Sequence, residues 1–224
     1  MAIDLKFSIS NGLFHKDPQT TEFGQKVLKH SVLLIDELGF ESFTFKKLAK
    51  EISSTETSIY RYFENKHMLL IFLCSWYAEW VTYLIQINTL NLKDPKKRLK
   101  VVLHNIAAAS TENVLTAYIN ENVLHKIIVK EGAKAYHTIA VDKENKKGLF
   151  ISHKNLISLI SDHIGQVNKE FPYKKSLASS LYEMANNQIY FSEHIPGLSD
   201  IGKKDKNHKS LEKMLNFYTE RLLN

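Results

Sequence analysis

The chain has 224 residues, of which 44% are hydrophobic and 24% charged, so it can bury the core of one large or two small domains. Eight glycines and four prolines are few for this length, which favours long helices over a turn-rich β architecture. The single cysteine, Cys74, excludes an intrachain disulfide framework, and the N-terminus has no basic-then-apolar signal pattern. The most apolar run, residues 68–80, is shorter than the roughly 20 residues that span a bilayer. We therefore expect a cytoplasmic protein without a membrane partner.

The formal net charge of +6 suggests a nucleic-acid partner, but the position of the charge does not support it. The excess lies in runs such as KDPKKRLK at 93–100 and GKKDKNHK at 202–209, which are typical of solvated helix ends and loops. Between residues 20 and 70, seven basic residues are balanced by seven acidic ones: Lys26, Lys29, Lys46, Lys47, Lys50, Arg61 and Lys66 against Glu22, Asp36, Glu37, Glu41, Glu51, Glu56 and Glu64. Evidence for DNA binding must therefore come from how the side chains are arranged.

The first helix is marked by capping residues at both ends. Residues 1–18 have weak periodicity and are predicted to form a flexible or partly ordered N-terminal arm. Thr20 or Thr21 then suits the N-cap of a helix that runs to about Leu38. Gly39 stands where a helix C-terminal cap belongs.

The next two helices are short, and each is expected to bury one apolar face. Thr44 is placed to cap the helix FKKLAKEI, and Thr55 to cap the helix ETSIYRYF after a tight Ser-Ser-Thr turn. The inward positions follow helical spacing and are apolar: Phe45, Leu48, Ala49, Ile52, Ile59 and Phe63. The outward positions are basic or carry hydroxyl groups: Lys46, Lys47, Lys50, Thr57, Ser58, Tyr60 and Arg61.

Helical periodicity continues to the end of the chain. A long helix is predicted from His67 to about Ile87, and Asp94-Pro95 is a strong start signal for the next one. Further helical segments are predicted at about 113–137, 149–169, 174–194 and 208–223, with polar loops at 141–148 and 194–208. The expected organisation is all-α: an arm over 1–18, a three-helix helix-turn-helix domain over 19–66 and a larger helical domain over 67–224.

The outward face over residues 44–66 has the chemistry needed to dock on DNA. A helix fits the major groove of B-DNA, and small residues at its start let the backbone approach the bases. Tyr60 and Arg61 can then reach base edges or phosphates, while lysines around the helix hold phosphates without reading sequence. A helix-turn-helix docks on DNA in this way, with its second helix in the major groove. Short amphipathic helices also occur in proteins that bind no DNA.

The string FTFKKLAKEISSTETSIYRYFENKHMLL, with the glycine that follows the first helix, resembles the N-terminal domain of the TetR family of bacterial transcriptional regulators. Its most specific feature is the Tyr-x-Tyr-Phe-x-x-Lys run at this distance from the Leu-Ala pair, and the resemblance covers about residues 20–70. It implies an N-terminal DNA-binding domain followed by a larger ligand-binding and dimerisation domain. It also implies which side chains contact double-stranded operator DNA: Thr44, Lys46, Thr55, Glu56, Thr57, Ser58, Tyr60, Arg61, Tyr62 and Lys66.

Departures from the family pattern leave an alternative open. The family usually has glycine and then an apolar residue in the turn, where this chain has Ser53 and Ser54, and Ser53 is expected to need a left-handed backbone. Glu56 and Glu64 place acidic side chains near the expected phosphates. The alternative is a TetR-fold ligand-binding or protein-interaction module in which DNA binding is weak or lost.

The resemblance also implies a small-molecule effector and a homodimer, and hence a repressor that leaves its near-palindromic operator when the effector binds. In the family the fourth helix helps to line an effector cavity, so four aromatic residues are pocket candidates, although they suit a core as well: Trp76, Trp80, Tyr83 and Tyr118. The last two helices form the dimer interface of family members, and their apolar stripes supply candidates: Leu177, Leu181, Ile189, Leu211, Leu215 and Tyr218.

No motif in the sequence points to catalysis. The chain has no G-x-S-x-G, P-loop or dinucleotide-binding glycine pattern. Its ten histidines include no i, i+4 pair and no Cys-His cluster. We expect neither an enzyme nor a cofactor or metal site.

Overall fold

The chain is helical in the computed structural model, which describes residues 5–108, 116, 118–202 and 208–224. Ten α-helices and no strand lie in this described part, which confirms the expected all-α class. In chain order they are α1 Glu22–Leu38, α2 Phe45–Glu51, α3 Glu56–Tyr60, α4 Lys66–Thr89, α5 Pro95–Ala108, α6 Glu121–Glu131, α7 Val141–Lys146, α8 Ile151–Val167, α9 Lys174–His194 and α10 Lys209–Leu223.

Polar caps and a glycine set the ends of the helices where the sequence predicted them. At the start of α1 the hydroxyl of Thr21 accepts a hydrogen bond from the backbone N–H of Gly24 at 3.1 Å. At the start of α5 the carboxylate of Asp94 accepts one from the N–H of Lys96 at 2.9 Å. Gly39 ends α1 with a φ of 75°, a positive value that glycine adopts without steric cost. These predicted caps are confirmed.

Three predictions of local structure differ from the structure. Residues 141–148, predicted as a polar loop, contain α7, because Glu144 is buried there and contacts His67 Nε2 at 3.0 Å. The segment predicted to be helical over 113–137 forms α6 and a short 3-10 turn, while 113–115 and 117 lie outside the described residues. The third helix, predicted over residues 56–63, ends at Tyr60.

The chain divides into two compact units, each with its own helix packing. The first is Met1–Ala78 with Ser110–His153, where α1 packs on α2 and on α6. The second is Glu79–Ala109 with Lys154–Asn224, where α10 packs on α5 and on α9. The division falls inside α4, and α6 and α7 belong to the same unit as the helix-turn-helix. The predicted domain boundary after residue 66 stays a prediction.

Within the first unit the N-terminal arm is folded against the protein from residue 5 onward. The ring of Phe7 packs edge-on against Trp76, with the ring centres 5.2 Å apart. The side chain of Gln19 pairs with the backbone of Phe7 through two hydrogen bonds of 2.9 and 3.0 Å. Near the end of the arm the backbone N–H of His15 donates to the carbonyl oxygen of Tyr62 at 2.8 Å. The arm is therefore a packed part of this unit and more ordered than its sequence suggested.

Helix α4 supplies the most apolar segment. It is long and apolar enough to cross a membrane by composition alone. However, 67% of its most apolar window is buried inside the protein, which is typical of the core helix of a soluble protein.

Candidate nucleic-acid interface

Helices α2 and α3 form a helix-turn-helix with an apolar inner face. The hydroxyl of Thr44 accepts from the N–H of Lys47 at 3.2 Å, and that of Thr55 accepts from the N–H of Ser58 at 3.3 Å. Both predicted N-caps are therefore confirmed. All inward residues of the predicted pattern are buried: Phe45, Leu48, Ala49, Ile52, Ile59 and Phe63. Burial of one face fixes which side chains point to solvent.

The turn between α2 and α3 passes through a left-handed backbone at Ser53, as the sequence predicted. Ser53 has a φ of 53°, a conformation that a residue with a Cβ adopts at a cost of about 1 kcal/mol. Two backbone hydrogen bonds hold the turn, from Ser53 N–H to Lys50 O at 3.2 Å and from Ser54 N–H to Ala49 O at 2.8 Å.

Replacing Ser53 by glycine is expected to raise the free energy of unfolding by about 0.5 kcal/mol. Glycine relieves about 1 kcal/mol of backbone strain, and part of that gain is offset by the greater entropy of the unfolded chain. Urea denaturation should show a higher midpoint at unchanged slope. Ser54→Gly is the matched control, since Ser54 has no positive φ, and it should be destabilising. A lower midpoint in Ser53→Gly would contradict the strain assigned to this turn.

The face that α2 and α3 turn to solvent carries eight of the ten predicted DNA contacts. Tyr60 is 46% exposed, and its ring packs edge-on against Phe45 with the ring centres 5.1 Å apart. Lys46 and Arg61 are exposed and make no ion pair with any residue that the structure describes, so both charges are available to a partner. Ser58 is half-buried, and the remaining contacts are exposed: Thr44, Thr55, Glu56 and Thr57.

Tyr62, another predicted DNA contact, is buried in the structure. This side chain is only 5% exposed, and its hydroxyl shares a hydrogen bond of 2.8 Å with the hydroxyl of Thr21, the cap of α1. Its ring also packs against Phe23, with the ring centres 5.8 Å apart. Tyr62 therefore joins the end of α3 to the start of α1 as a buried residue, and its predicted contact with DNA stays a prediction.

Lys66, the last of the predicted DNA contacts, makes hydrogen bonds within the chain. Its ammonium group donates to the carbonyl oxygens of Phe40, Glu41 and Phe43 at 2.9, 2.9 and 3.2 Å. An ammonium group has three protons, so these three bonds satisfy it. Lys66 therefore fastens the start of α4 to the loop before α2, and its predicted phosphate contact stays a prediction.

The same loop is held by charged side chains at the end of α6. Glu131 accepts a hydrogen bond from the N–H of Phe40 at 3.1 Å. The ammonium group of Lys134 lies 2.8 Å from Glu131 and 2.9 Å from Glu41. The hydrogen bond from Lys134 lowers the pKa of Glu41, and the hydrogen bond to Glu131 raises the pKa of Lys134. The end of α6 is therefore connected to the loop that precedes the helix-turn-helix.

The four aromatic candidates for an effector pocket are packed side chains. The indole N–H of Trp76 donates to the hydroxyl of Tyr118 at 3.4 Å, and that hydroxyl donates to the carbonyl oxygen of Leu5 at 2.9 Å. In the second unit the fully buried Trp80 stacks on Tyr83, with the ring centres 5.8 Å apart. Their part in effector binding stays a prediction.

A cavity of about 420 Å³ lies in the second unit, between the start of α5, the end of α8 and α10. Its apolar wall includes Leu99, Leu103 and Leu223, and its rim includes Lys97 and Lys100. None of the four aromatic candidates lines it.

The dimer-interface candidates on α9 and α10 divide by exposure. Four of the six are buried within the single chain, and their part in a dimer interface stays a prediction: Leu181, Ile189, Leu211 and Leu215. Leu177 is half-buried. The apolar side chains that α10 exposes are Phe217, Tyr218 and Leu222, at 56%, 41% and 52%. Of the predicted residues on this helix, only Tyr218 therefore remains available to a partner.

These features define an all-α protein with a capped helix-turn-helix and a polar, partly basic outer face. In the part of the chain that the structure describes, no group of three or more His, Cys, Asp or Glu side chains could hold a metal ion.

Comparison with known proteins agrees with an all-α protein that contains a helix-turn-helix. Residues 27–71 match the model of the bacterial regulatory proteins of the tetR family. The match covers α1 from Val27, the helix-turn-helix and the start of α4, which is the part of the chain that carries the resemblance. No protein of curated function matches the sequence.

Solved structures with the same fold cover most of the chain. AibR in complex with isovaleryl coenzyme A and operator DNA has a TM-score of 0.57 at 14% identity, covering 85% of this chain and 97% of that chain. PfmR, a TetR family transcriptional regulator from Thermus thermophilus, has a TM-score of 0.57 at 15% identity, covering 92% and 97%. The superantigen PfiT has a TM-score of 0.59 at 12% identity, covering 93% and 99%. At these identities the likeness shows the fold alone.

Proposed function

We propose that this protein is a cytoplasmic, ligand-responsive transcriptional repressor that binds operator DNA through α2 and α3. The observation that carries the proposal is the exposed face with Lys46, Tyr60 and Arg61, on two capped helices whose opposite face is buried. A short helix that presents small hydroxyls, a tyrosine and an arginine has the shape and the hydrogen-bond donors that the major groove accepts. The AibR complex, which contains operator DNA, supports this use of the fold.

A twofold dimer is part of the proposal. Two copies would place two recognition helices about one DNA turn apart, roughly 34 Å, which matches a near-palindromic operator. The exposed apolar side chains of α10, Phe217, Tyr218 and Leu222, support a second copy as partner, because clustered exposed apolar groups mark interaction surfaces.

Release by a small molecule is also part of the proposal. An effector that binds the larger domain would shift the population toward a form with wrongly spaced recognition helices. The cavity between α5, α8 and α10 supports a bound ligand, since its 420 Å³ falls within the roughly 300–1,000 Å³ of small-molecule sites. Within the first unit, the contacts of Glu131 and Lys134 give α6 a connection to the loop before α2.

DNA binding tests the proposal directly. The protein is mixed with sheared genomic DNA from its own source, the bound fragments are sequenced, and the affinity for the enriched site is measured at several salt concentrations. We expect a near-palindromic site that binds two chains, and a log–log salt slope of about −0.9 for each phosphate contacted. No enriched site and no salt dependence would contradict the proposal.

A second candidate function is a TetR-fold binding module that has lost its affinity for DNA. The balanced charge of residues 20–70 and the acidic Glu56 on the outer face favour it. The likeness to PfiT, whose structure is described as that of a superantigen, supports a use of this fold other than regulation. The same experiment separates the two candidates, since such a module enriches no DNA site.

A further inference from the structure

The end of the N-terminal arm lies beside the recognition region and carries basic side chains that the proposed function does not use. The backbone N–H of His15 donates to the carbonyl oxygen of Tyr62 at 2.8 Å. The ammonium group of Lys16 lies over the ring of Tyr62, 5.8 Å from its centre. Because Tyr62 directly follows Arg61, these contacts place His15 and Lys16 next to a proposed DNA contact.

Packing holds the arm in this position. The ring of Phe14 packs edge-on against Phe72, with the ring centres 5.9 Å apart. The carboxylate of Asp17 accepts a hydrogen bond from the N–H of Gln19 at 2.9 Å and stabilises the turn that follows Lys16. Lys16 is therefore presented from a fixed backbone, which reduces the conformational entropy lost when it binds a partner.

The charge of Lys16 is available to a partner. Its side chain is exposed, and its ammonium group forms no ion pair within the described ranges, 5–108, 116, 118–202 and 208–224. Its attraction to the Tyr62 ring is weak, since an exposed cation–π contact contributes about 0.5–1 kcal/mol. The nearest acid in sequence, Asp17, is engaged with Gln19. Glu22 and Glu64, which flank Thr21 and Tyr62 by sequence, make no ion pair with Lys16.

The start of α1 lies at the same edge, and its first turn carries the acidic Glu22. The hydroxyl of Thr21, which caps this 17-residue helix, shares its hydrogen bond with the hydroxyl of Tyr62. The partial positive charge of the first backbone N–H groups is offset by the carboxylate of Glu22, so the positive charge available to a phosphate at this edge is that of Lys16. The Lys16 ammonium group and the hydroxyl that caps α1 therefore both contact the side chain of Tyr62, which follows Arg61 in sequence.

We propose that Lys16 binds a backbone phosphate of DNA beside the recognition helix, so that the N-terminal arm extends the interface formed by α2 and α3. The inference rests on the proposed function, because it requires these helices to dock in the major groove. A phosphate contact of this kind fixes the position of the protein on the duplex and does not read its sequence.

Salt-dependent binding to a labelled mixed-sequence duplex of about 30 base pairs, three helical turns, tests the contact without knowledge of the operator. For Lys16→Ala, the magnitude of the log–log salt slope should fall by about 0.9, and the affinity at about 0.1 M salt should fall roughly eightfold. Lys16→Arg keeps the charge and should keep the wild-type slope. Lys6→Ala removes a lysine of the same arm beside Phe7, which packs on Trp76, and should also leave the slope unchanged. Thermal melts check that each variant is folded.

The outcomes separate the two proposals. If the wild-type protein binds the duplex and Lys16→Ala has the wild-type slope, the arm contact is overturned while the proposed function stands. If Lys16→Arg loses affinity as Lys16→Ala does, the charge is not what matters, and the contact is also overturned. If the wild-type protein binds no DNA at any salt concentration, both proposals fail.

Discussion

Replacing Tyr60 and Arg61 together by alanine is expected to lower the affinity for operator DNA roughly 150-fold while the protein stays folded. The exposed guanidinium group of Arg61 can bond a guanine edge or a phosphate, which contributes about 1–3 kcal/mol. The hydroxyl of Tyr60 can add one hydrogen bond to a charged phosphate, about 1.5 kcal/mol. A combined loss of about 3 kcal/mol corresponds to that factor of roughly 150. Folding should persist, because Tyr60 is half exposed and packs mainly on Phe45.

Fluorescence anisotropy with the enriched genomic site measures this loss, and circular dichroism checks the helical content. The matched control is Tyr173→Ala with Lys175→Ala, which removes an exposed tyrosine and one positive charge at the start of α9. That control should bind like the wild-type protein. Equal losses in the two double variants would indicate a general effect of charge and would contradict the assignment of Tyr60 and Arg61 to the interface.

Replacing Gly24 by alanine is expected to destabilise the protein by about 2 kcal/mol, although alanine is the better helix former. A Cβ at position 24 would lie 2.4 Å from the carbonyl oxygen of Pro18 and 2.6 Å from its Cα atom. Both are backbone atoms of a buried residue, so α1 and the arm would have to separate. Overpacking costs about 1–3 kcal/mol and occasionally more, which outweighs the gain of about 1 kcal/mol in helix propensity.

Thermal unfolding measures the effect, which should lower the melting temperature by roughly 4–8 °C for a chain of this length. Gly165→Ala is the matched control in α8, since its Cβ would meet only the flexible side chain of Lys174, at 3.3 Å. That variant should be as stable as the wild-type protein or more so, by up to about 1 kcal/mol. A wild-type melting temperature for Gly24→Ala would mean that the arm does not pack on α1 as described.

The helix-turn-helix was predictable because its determinants are local. The caps at Thr21, Thr44 and Thr55 depend on bonds to residues three positions away, so the sequence displays both partners together. The left-handed backbone at Ser53 was expected from the resemblance, because the family usually has glycine at that position of the turn. The same periodicity also identified the buried face, and with it the exposed positions of Lys46 and Tyr60.

The roles of Tyr62 and Lys66 were not predictable in this way. The Tyr62 hydroxyl finds its partner at Thr21, and the Lys66 ammonium group finds its three at the carbonyl oxygens of residues 40, 41 and 43. The sequence shows that both side chains can donate hydrogen bonds. It does not show which acceptors the fold brings next to them. The resemblance implied DNA contacts for both side chains, which stay predictions, and only the structure shows that both also hold the domain together.

By itself the sequence determined the helical class, the caps and the outward face of α2 and α3, because hydrogen bonds and periodicity within a few residues specify them. Only the tertiary structure decided that the arm packs at Gly24 and Tyr62 and so brings Lys16 to the candidate interface. It also decided which apolar residues of α10 are core and which remain exposed. The position of the arm and the burial of the α10 residues depend on contacts between segments that are distant in the chain. No single stretch of sequence contains both partners of such a contact, so its contribution to burial cannot be predicted locally.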